Sequence, residues 1–417
     1  MDSERLMDKE RKAPVRKKTH SSDRIRLTVV AAVVLGMLVA ACGGETGNTI
    51  TSSGEDITST SAGDMTTTSA VATTAGTALT GALEDAPPDD ADLAAPVPFD
   101  EYCSETLTVE EALDFPVPDA ASDANLVHML ISLQGHYFLS SAWGAQEAAE
   151  EAGVELDTLA AEGYASPDLQ QQQLGDISQR DVDAVILLPA DVNGSVPLVD
   201  QARDAGIQLV VEGSLLNSNQ IPQSVQSDYG LGQLAADLVA EALDETGQSG
   251  GSGLIMAGPM QATWAANRLA GFTAQVEDQY PNIEIAVVTH QNFVDPTEGL
   301  NTFTDAIQAN PDLDWIYSVD YNLLEAPSLP GQYKGVIPYI AMGLYGTSEA
   351  ALRDGTVDVI IGLMPALGSR IGVARAVSML NGETVPAITC YPAPIYTADT
   401  LDQPSVVWEG YPEGFQP

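Results

Sequence analysis

Cysteine and histidine are scarce in this chain, and their scarcity excludes several kinds of site. The 417 residues include three cysteines, too few for a disulfide-rich scaffold or a cysteine-rich zinc or iron–sulfur cluster. The four histidines have neither HxH nor HxxxH spacing. We therefore expect no metal site and no cofactor.

Basic residues are also few, which excludes nucleic acid as a partner. The chain has 16 Lys and Arg against 59 Asp and Glu, a formal net charge of -43. Nucleic acids are bound by basic surfaces, and so acidic a chain repels them.

The common catalytic signatures are missing. The sequence contains no GxSxG, P-loop or HExxH motif. The run Gly251-Ser252-Gly253 resembles part of a nucleotide-binding loop, but it precedes a predicted strand, whereas the dinucleotide fingerprint follows one. We predict a turn there and expect a protein that is not an enzyme.

The N-terminal region has the features of an export signal. Nine of the 16 basic residues lie in the first 26 positions, and residues 27–41 form an uncharged, mostly apolar run of fifteen. A membrane-spanning helix usually needs about 18 or more such residues, so a signal peptide fits better. The run ends in Val39-Ala40-Ala41-Cys42, which resembles the lipobox of bacterial lipoproteins. Residues 1–41 are therefore predicted to be a lipoprotein signal peptide and Cys42 the lipidated residue; an uncleaved anchor is the alternative.

Residues 42–101 are predicted to be a disordered, acidic, Ser/Thr-rich tether. Between positions 43 and 80, 17 of 38 residues are Ser or Thr, and none is aromatic or basic. Such a segment buries too little apolar surface to offset chain entropy. Because all aromatic residues except Phe99 lie beyond position 101, the folded body is expected at 102–417.

From residue 124 onward, short apolar runs alternate with longer amphipathic segments. Strands are predicted at 126–133, 154–161, 184–189, 208–212, 224–227, 254–258, 283–290, 315–319, 338–343 and 357–363. Helices are predicted at 140–151, 167–179, 195–205, 231–243, 264–279, 297–308, 347–353 and 367–380. This alternation is typical of parallel sheets covered on both faces, and its length favours two similar lobes over one sheet.

Ligands of open parallel sheets bind beyond the carboxyl ends of the strands. The residues that follow the predicted strands are mainly aromatic or acidic and include one basic residue. Prominent among them are Tyr137, Phe138, Tyr164, Asp228, Trp264, Arg268, Asp320 and Tyr345.

Several stretches resemble the type I periplasmic binding proteins, the family of ribose-type solute receptors. They include YFLSSAWGAQEAAEEAGV (137–154), DVDAVILLPAD (181–191), SVQSDYGLGQLAADLV (224–239), LDWIYSVD (313–320) and ALRDGTVDVIIGLMP (351–365). Two segments, EGYASPDLQQQQL (162–174) and GPMQATWAANRLAGF (258–272), look closest to the branch of trimethylamine N-oxide sensor proteins.

The resemblance implies an α/β fold of two Rossmann-like lobes with parallel sheets, joined by a three-strand hinge. Lobe one would comprise about residues 124–229 and 365–385, and lobe two about 230–364 with the C-terminal segment. Hinge bending is expected near 228–230, Pro259 and 363–365, and ligand would close the lobes.

The resemblance also implies roles for individual residues. Tyr137 and Phe138 match the aromatic pair that stacks on ligand from lobe one, and Arg268 matches the arginine that reaches it from lobe two. Asp320 stands where sugar receptors place Asn or Asp. By contrast, the family's usual polar partners are replaced at three positions, Gly135, Tyr345 and Leu363, which weakens the case for a sugar.

The residues themselves leave structural roles open. Tyr137, Phe138 and Trp264 suit either the ligand or lobe packing, whereas Tyr164, at the tip of a strand, favours the cleft. Arg268 is expected to bind ligand and to pair with Asp320 when the site is empty. Asp228 is expected to cap the helix that follows it.

Cys103 and Cys390 are the two thiols that remain if Cys42 is lipidated. The first precedes the first strand of the body, and the second follows the last crossover, where the chain ends of the family run near one another. Because exported thiols tend to oxidise, we expect a disulfide; two separate buried thiols are the alternative.

Together these observations predict an extracytoplasmic, lipid-anchored solute-binding protein that delivers its ligand to the permease of an ABC transporter. The alternative is a sensor whose ligand-bound form docks on a membrane histidine kinase. Aromatic rings beside Asp320 favour a small methylated amine, an amine oxide or a similar zwitterion. A sugar is the alternative ligand, because the same rings stack on its apolar face.

Replacing Cys42 by alanine tests the anchor. The Cys42→Ala protein should either leave the membrane fraction or keep its leader, because the lipidated residue is gone. Membrane fractionation and mass spectrometry would measure this. An unmodified Cys42 in the mature wild-type protein would contradict the prediction.

Overall fold

The computed structural model of the protein describes residues 83–96, 102–164, 166–260, 262–290, 296–320 and 329–417. The predicted signal peptide, Cys42 and the Ser/Thr-rich part of the predicted tether lie outside these residues. Within them, no helix combines the length and apolar character needed to cross a membrane.

The described residues alternate between strands and helices along most of their length. The strands are β1 (Leu83–Glu84), β2 (Glu105–Thr106), β3 (Asn125–Leu130), β4 (Glu155–Ala160), β5 (Ala184–Leu187), β6 (Gln208–Gly213), β7 (Gln223–Val225), β8 (Gly251–Ala257), β9 (Ile283–His290), β10 (Trp315–Ser318), β11 (Tyr339–Met342), β12 (Val359–Ile361), β13 (Val385–Pro386), β14 (Ile388–Cys390) and β15 (Ile395–Tyr396). The helices are α1 (Val109–Leu113), α2 (His136–Ala152), α3 (Pro167–Ile177), α4 (Val196–Asp204), α5 (Asp228–Glu245), α6 (Thr263–Gln279), α7 (Pro296–Ala309), α8 (Gly346–Arg353) and α9 (Pro365–Leu380), and a 3-10 helix spans Pro404–Glu409.

Lobe one is built on a parallel sheet with the strand order β2-β14-β7-β6-β5-β3-β4. Helices α2 and α9 cover one face, and α3 and α4 cover the other. Strand β5 illustrates why a strand inside this sheet is continuously apolar in sequence: both faces of the sheet are covered by helices. Ala184 and Ile186 face the first helix pair, Val185 and Leu187 face the second, and all four are buried.

Lobe two has the strand order β15-β12-β11-β10-β8-β9, parallel throughout except that β15 runs antiparallel to β12. Helices α5 and α6 cover one face, and α7 and α8 lie on the other. A stack of the Phe272 and Tyr317 rings, 4.7 Å between centroids, lies between α6 and β10. The predicted α/β architecture of two parallel-sheet lobes is confirmed.

The chain passes between the lobes after β7, after β12 and after β14. Pro259, predicted to mark a hinge, instead follows β8 within lobe two, and the segment between β14 and β15 provides the third crossing. After β15 the chain turns back, and the 3-10 helix packs against α2 and α9 of lobe one. The C-terminal segment, expected in lobe two, therefore contacts both lobes.

Two further sequence expectations are wrong. Residues 83–96, predicted to be tether, belong to the folded body, because β1 pairs with β13 and Leu93 is 2% exposed. Residues 251–253, predicted to be a turn, begin β8. Gly253 is needed there because the Trp315 ring packs on its α-carbon, and a Cβ atom at this position would lie 1.9 Å from that ring.

A disulfide joins Cys103 to Cys390, with their Cα atoms 5.7 Å apart. It lies beside the parallel pairing of β2 with β14 and links positions that are 287 residues apart in sequence. The bond therefore fastens the start of the lobe-one body to the segment that crosses the hinge.

Removing this bond should destabilise the protein. The Cys103→Ser, Cys390→Ser double variant should lose about 3 kcal/mol in the free energy of unfolding, since the bond restricts a long loop of the unfolded chain. Denaturant titrations with and without reductant would measure it, with wild type sensitive to reductant and the double variant insensitive. Alkylation of both cysteines in unreduced, denatured wild-type protein would refute the bond.

Candidate ligand site between the lobes

The cleft side of lobe one carries an aromatic wall at the start of α2. Tyr137 and Phe138 lie in its first turn, with ring centroids 5.7 Å apart in an edge-to-face arrangement. The helix begins at His136, four residues earlier than predicted, so the two rings project from a helix and not from an extended loop. Tyr137 packs against core clusters of both lobes, whereas Phe138 packs against lobe one.

A direct hydrogen bond joins the two lobes across the cleft. The indole Nε1 of Trp264, on α6, donates to the hydroxyl of Tyr164, which follows β4, at 2.9 Å. Their ring centroids are 6.4 Å apart, and Trp264 is 9% exposed. The lobes are thus in contact at the position where both residues were predicted to meet a ligand.

The basic group of the site is held by an ion pair. Arg268 Nε donates to Asp228 Oδ1 at 2.9 Å, and Nη1 donates to the carbonyl of Val319 at 2.9 Å. The expected partner of Arg268 was Asp320, and Asp228 was expected to be a helix cap. Instead Ser227 caps α5, because its side chain accepts from the amide of Gly230, which leaves the Asp228 carboxylate for Arg268.

Close packing of α5 against α6 brings Asp228 and Arg268 together. A Cβ atom on Gly232 would lie 2.1 Å from the carbonyl oxygen of Arg268, and one on Gly271 would lie 2.0 Å from that of Tyr229. Side chains at either glycine would force the helices apart. These two glycines therefore position the ion pair.

Asp320 and Tyr345 form a second polar pair in lobe two. The Tyr345 hydroxyl donates to Asp320 Oδ1 at 2.9 Å, and burial, assisted by the neighbouring carboxylate, raises the pKa of Tyr345 well above its ordinary value. Tyr345 is 8% exposed, while Asp320 is half-buried. Tyr345 remains a neutral donor at any physiological pH.

These groups share one electrostatic environment. Burial lowers the pKa of Arg268, but the attraction of Asp228 and Asp320 outweighs burial, and the net shift is upward. The guanidinium therefore stays charged, and its carbon lies 4.9 Å from the centre of the Trp264 ring. Two carboxylates, one guanidinium and aromatic faces give a small site with hydrogen-bond donors and acceptors close together.

The sequence did not single out a polar cluster beneath the aromatic wall. Glu212, at the end of β6, is fully buried and accepts from Ser141 Oγ at 2.9 Å, and His128 Nε2 lies 3.3 Å from the same oxygen. Ser141 is also 2.7 Å from Ser369 of α9. This cluster ties two strands of lobe one to α2 and α9, which hold the wall in place.

Glu409 was also missed, although it connects the lobes. Its Oε2 accepts from the amides of Leu363 and Met364 at 3.1 and 3.0 Å, where β12 leads into α9, and its Oε1 accepts from the Tyr396 hydroxyl at 3.1 Å. Glu409 is 1% exposed, and burial raises the pKa of its carboxyl from 4.5 to about 7. No sequence signal distinguishes Glu409 from the exposed Glu413 of the same segment.

The family model described as the periplasmic binding protein domain matches residues 127–384, and the chain belongs to this family. It is a solute-binding protein of the ribose type and not an enzyme, and the family works outside the cytoplasm.

Two relatives represent the two branches considered above. The ribose import binding protein RbsB of Salmonella typhimurium is 25% identical over 286 residues, which cover 68% of this chain and 94% of the relative. The periplasmic protein TorT of Escherichia coli is 23% identical over 291 residues, which cover 69% and 81%.

A solved structure has the same fold. The carbohydrate transporter solute-binding protein of Agrobacterium radiobacter, in complex with D-arabinose, matches with a TM-score of 0.64 at 20% identity, covering 70% of this chain and 100% of the other.

The raised pKa of Glu409 predicts that the stability of the protein depends on pH. The pKa of this carboxyl is about 7 in the folded protein and near 4.5 in the unfolded chain. Between pH 4.5 and 7, the folded state therefore holds a proton that the unfolded state has released. The resulting stabilisation is full below pH 4.5 and is lost as the pH rises through 7. The loss should reach at most about 3 kcal/mol.

Urea titrations from pH 4.5 to pH 8 would measure this, with Glu409→Gln as the variant. The Glu409→Gln protein should lack this component of the pH dependence, whereas Glu413→Gln, at an exposed position of the same segment, should behave as wild type. Identical pH profiles for Glu409→Gln and wild type would exclude the assignment.

Proposed function

We propose that this protein captures a small polyhydroxylated solute, a monosaccharide or a sugar alcohol, between its lobes and delivers it to an ABC transporter. The observation that carries the proposal is the cluster of Arg268, Asp228 and Asp320 beside the Trp264 and Tyr345 rings. The carboxylates can accept hydrogen bonds from ligand hydroxyls, and the guanidinium can donate hydrogen bonds to the same hydroxyls. The cluster therefore suits a ligand whose groups both donate and accept hydrogen bonds.

The geometry around Trp264 disfavours the methylated amines that the sequence alone favoured. A quaternary ammonium ion is best bound on the face of an aromatic ring. The Arg268 guanidinium already lies 4.9 Å from the centre of the Trp264 ring, so an ammonium ion would have to displace it from the cation position on that ring. A neutral polyol does not compete for that position and can hydrogen-bond to Arg268 and Asp320 instead.

The hydrogen bonds that Arg268 already makes also disfavour an amine oxide as the ligand. Two of its nitrogens already donate to Asp228 and Val319, and the ion pair compensates its charge within the protein. An oxide or carboxylate oxygen would compete with Asp228 for the guanidinium. Hydroxyl groups can instead use Arg268 and Asp228 together without separating them.

Delivery to a transporter is the role proposed for the ligand-bound, closed form. The relationship to a ribose import protein supports it. The relationship to TorT, and the likeness of segments 162–174 and 258–272 to the sensor branch, support an alternative in which the closed form docks on a membrane histidine kinase. Under either role, the proposed lipid on Cys42 would keep the protein at the outer face of the membrane.

Calorimetry on the mature protein tests the ligand class. D-Ribose, D-arabinose and xylitol would be compared with trimethylamine N-oxide and glycine betaine, and we expect micromolar binding of at least one polyol and no heat from the amines. Binding of an amine, with no polyol binding, would refute the proposal.

The Asp320→Ala variant tests the site itself. It removes the carboxylate acceptor, so affinity for the polyol should fall about 10- to 100-fold, as for the loss of a hydrogen bond to a charged group. Asp312→Ala, at an exposed position of the same lobe, is the matched control and should bind as wild type. Equal affinity of the two variants would remove Asp320 from the site.

A further inference from the structure

Residues 410–417 form a short segment at the cleft. This segment, called here the C-terminal tail, follows the 3-10 helix that ends at Glu409. The carbonyl of Glu409 accepts from His136 Nε2 at 3.2 Å and from Ser140 Oγ at 3.1 Å, both on α2 of lobe one. Its carboxylate holds the β12–α9 junction and Tyr396, as described above. The tail therefore starts from a residue that is fixed to both lobes.

A row of rings leads from lobe two into the tail. The Tyr345 ring lies 5.2 Å from that of His136, which lies 5.0 Å from that of Tyr411, and the Tyr411 and Phe415 rings are 6.2 Å apart. The first member, Tyr345, is hydrogen-bonded to Asp320 in the candidate ligand site. The tail thus continues the aromatic lining of the cleft.

The last ring of the row, Phe415, returns to the lobe-one wall. A turn closed by the Phe415 amide and the carbonyl of Pro412 (3.1 Å) brings it back. Phe415 packs against the cluster formed by Leu130, Ile131, Ala142 and Leu188, on which Tyr137, Phe138 and Tyr164 also pack. In the tail, residues 412–414 are exposed while Tyr411 and Phe415 are half-buried, so the two rings are the parts that face the body.

We propose that the C-terminal tail is a third wall of the ligand site and that Phe415 covers the cleft beside the lobe-one aromatic residues. The proposal rests on the proposed function for the identity of the ligand, but not for the position of the tail. A bound ligand would then leave only when the lobes part and the tail lifts. The tail would therefore set the residence time of the ligand.

The first experiment needs no ligand. The amides of Ala161 and Gly163 donate to the carbonyls of Leu130 and Ile131, two members of the cluster that Phe415 covers. Hydrogen exchange at these amides should be at least 10-fold faster in Phe415→Ala and in a chain ending at Gly410 than in wild type. Gln416→Ala, at an exposed tail position, is the control and should exchange as wild type. Equal exchange in all four proteins would overturn the proposal.

The second experiment measures ligand exchange by stopped-flow tryptophan fluorescence with D-ribose, or with whichever polyol the calorimetry finds. The dissociation rate constant should rise about 10-fold in Phe415→Ala and in the shortened chain. An unchanged rate, or tighter binding without the tail, would overturn the proposal, the latter because the tail would then compete with the ligand. If wild type binds no polyol, the proposed function fails, while the exchange experiment still decides whether the tail covers the cleft. Thermal unfolding of both variants would verify that they fold.

Discussion

The ion pair between Arg268 and Asp228 is the interaction on which the candidate site depends. A buried guanidinium is costly unless a carboxylate compensates it, and here the compensation comes from the first turn of the neighbouring helix. The pair forms only because Gly232 and Gly271 let α5 and α6 approach closely. Through the Arg268 bond to Val319 and its contact with the Trp264 ring, the same pair positions the backbone before Asp320 and the side chain that reaches Tyr164.

Patterns of apolar residues predicted the fold well, because both sheets are covered on two faces and their strands are continuously apolar. The predicted strands and helices between residues 126 and 380 are present, with ends shifted by a few residues. The pattern failed at β1, β2 and β13–β15, which are two or three residues long and owe their form to pairing with distant segments. No local period marks such strands.

The candidate site was predicted in part. The position of a residue directly after a strand indicates that it lies at the cleft, but it does not indicate which side chain will be its hydrogen-bond or ion-pair partner. The structure brings Tyr164 of lobe one against Trp264 of lobe two, near Arg268, Asp320 and Tyr345. Tyr137 and Phe138 lie with Tyr164 on the lobe-one wall. The role of Asp228 was missed because the cap that it was expected to provide is supplied by Ser227, one residue earlier. Glu409 and Phe415 were missed because they lie far along the chain in a segment without periodicity.

The strand pairings at the start of the folded body attach the N-terminal segment to one lobe. β1 pairs with β13, β2 pairs with β14, and the Cys103–Cys390 bond lies beside the second pairing, so every one of these attachments is to lobe one. Whatever restrains the chain ahead of Leu83 therefore restrains lobe one. A closing motion about the three crossings would therefore move lobe two, and not lobe one, relative to the chain ahead of Leu83.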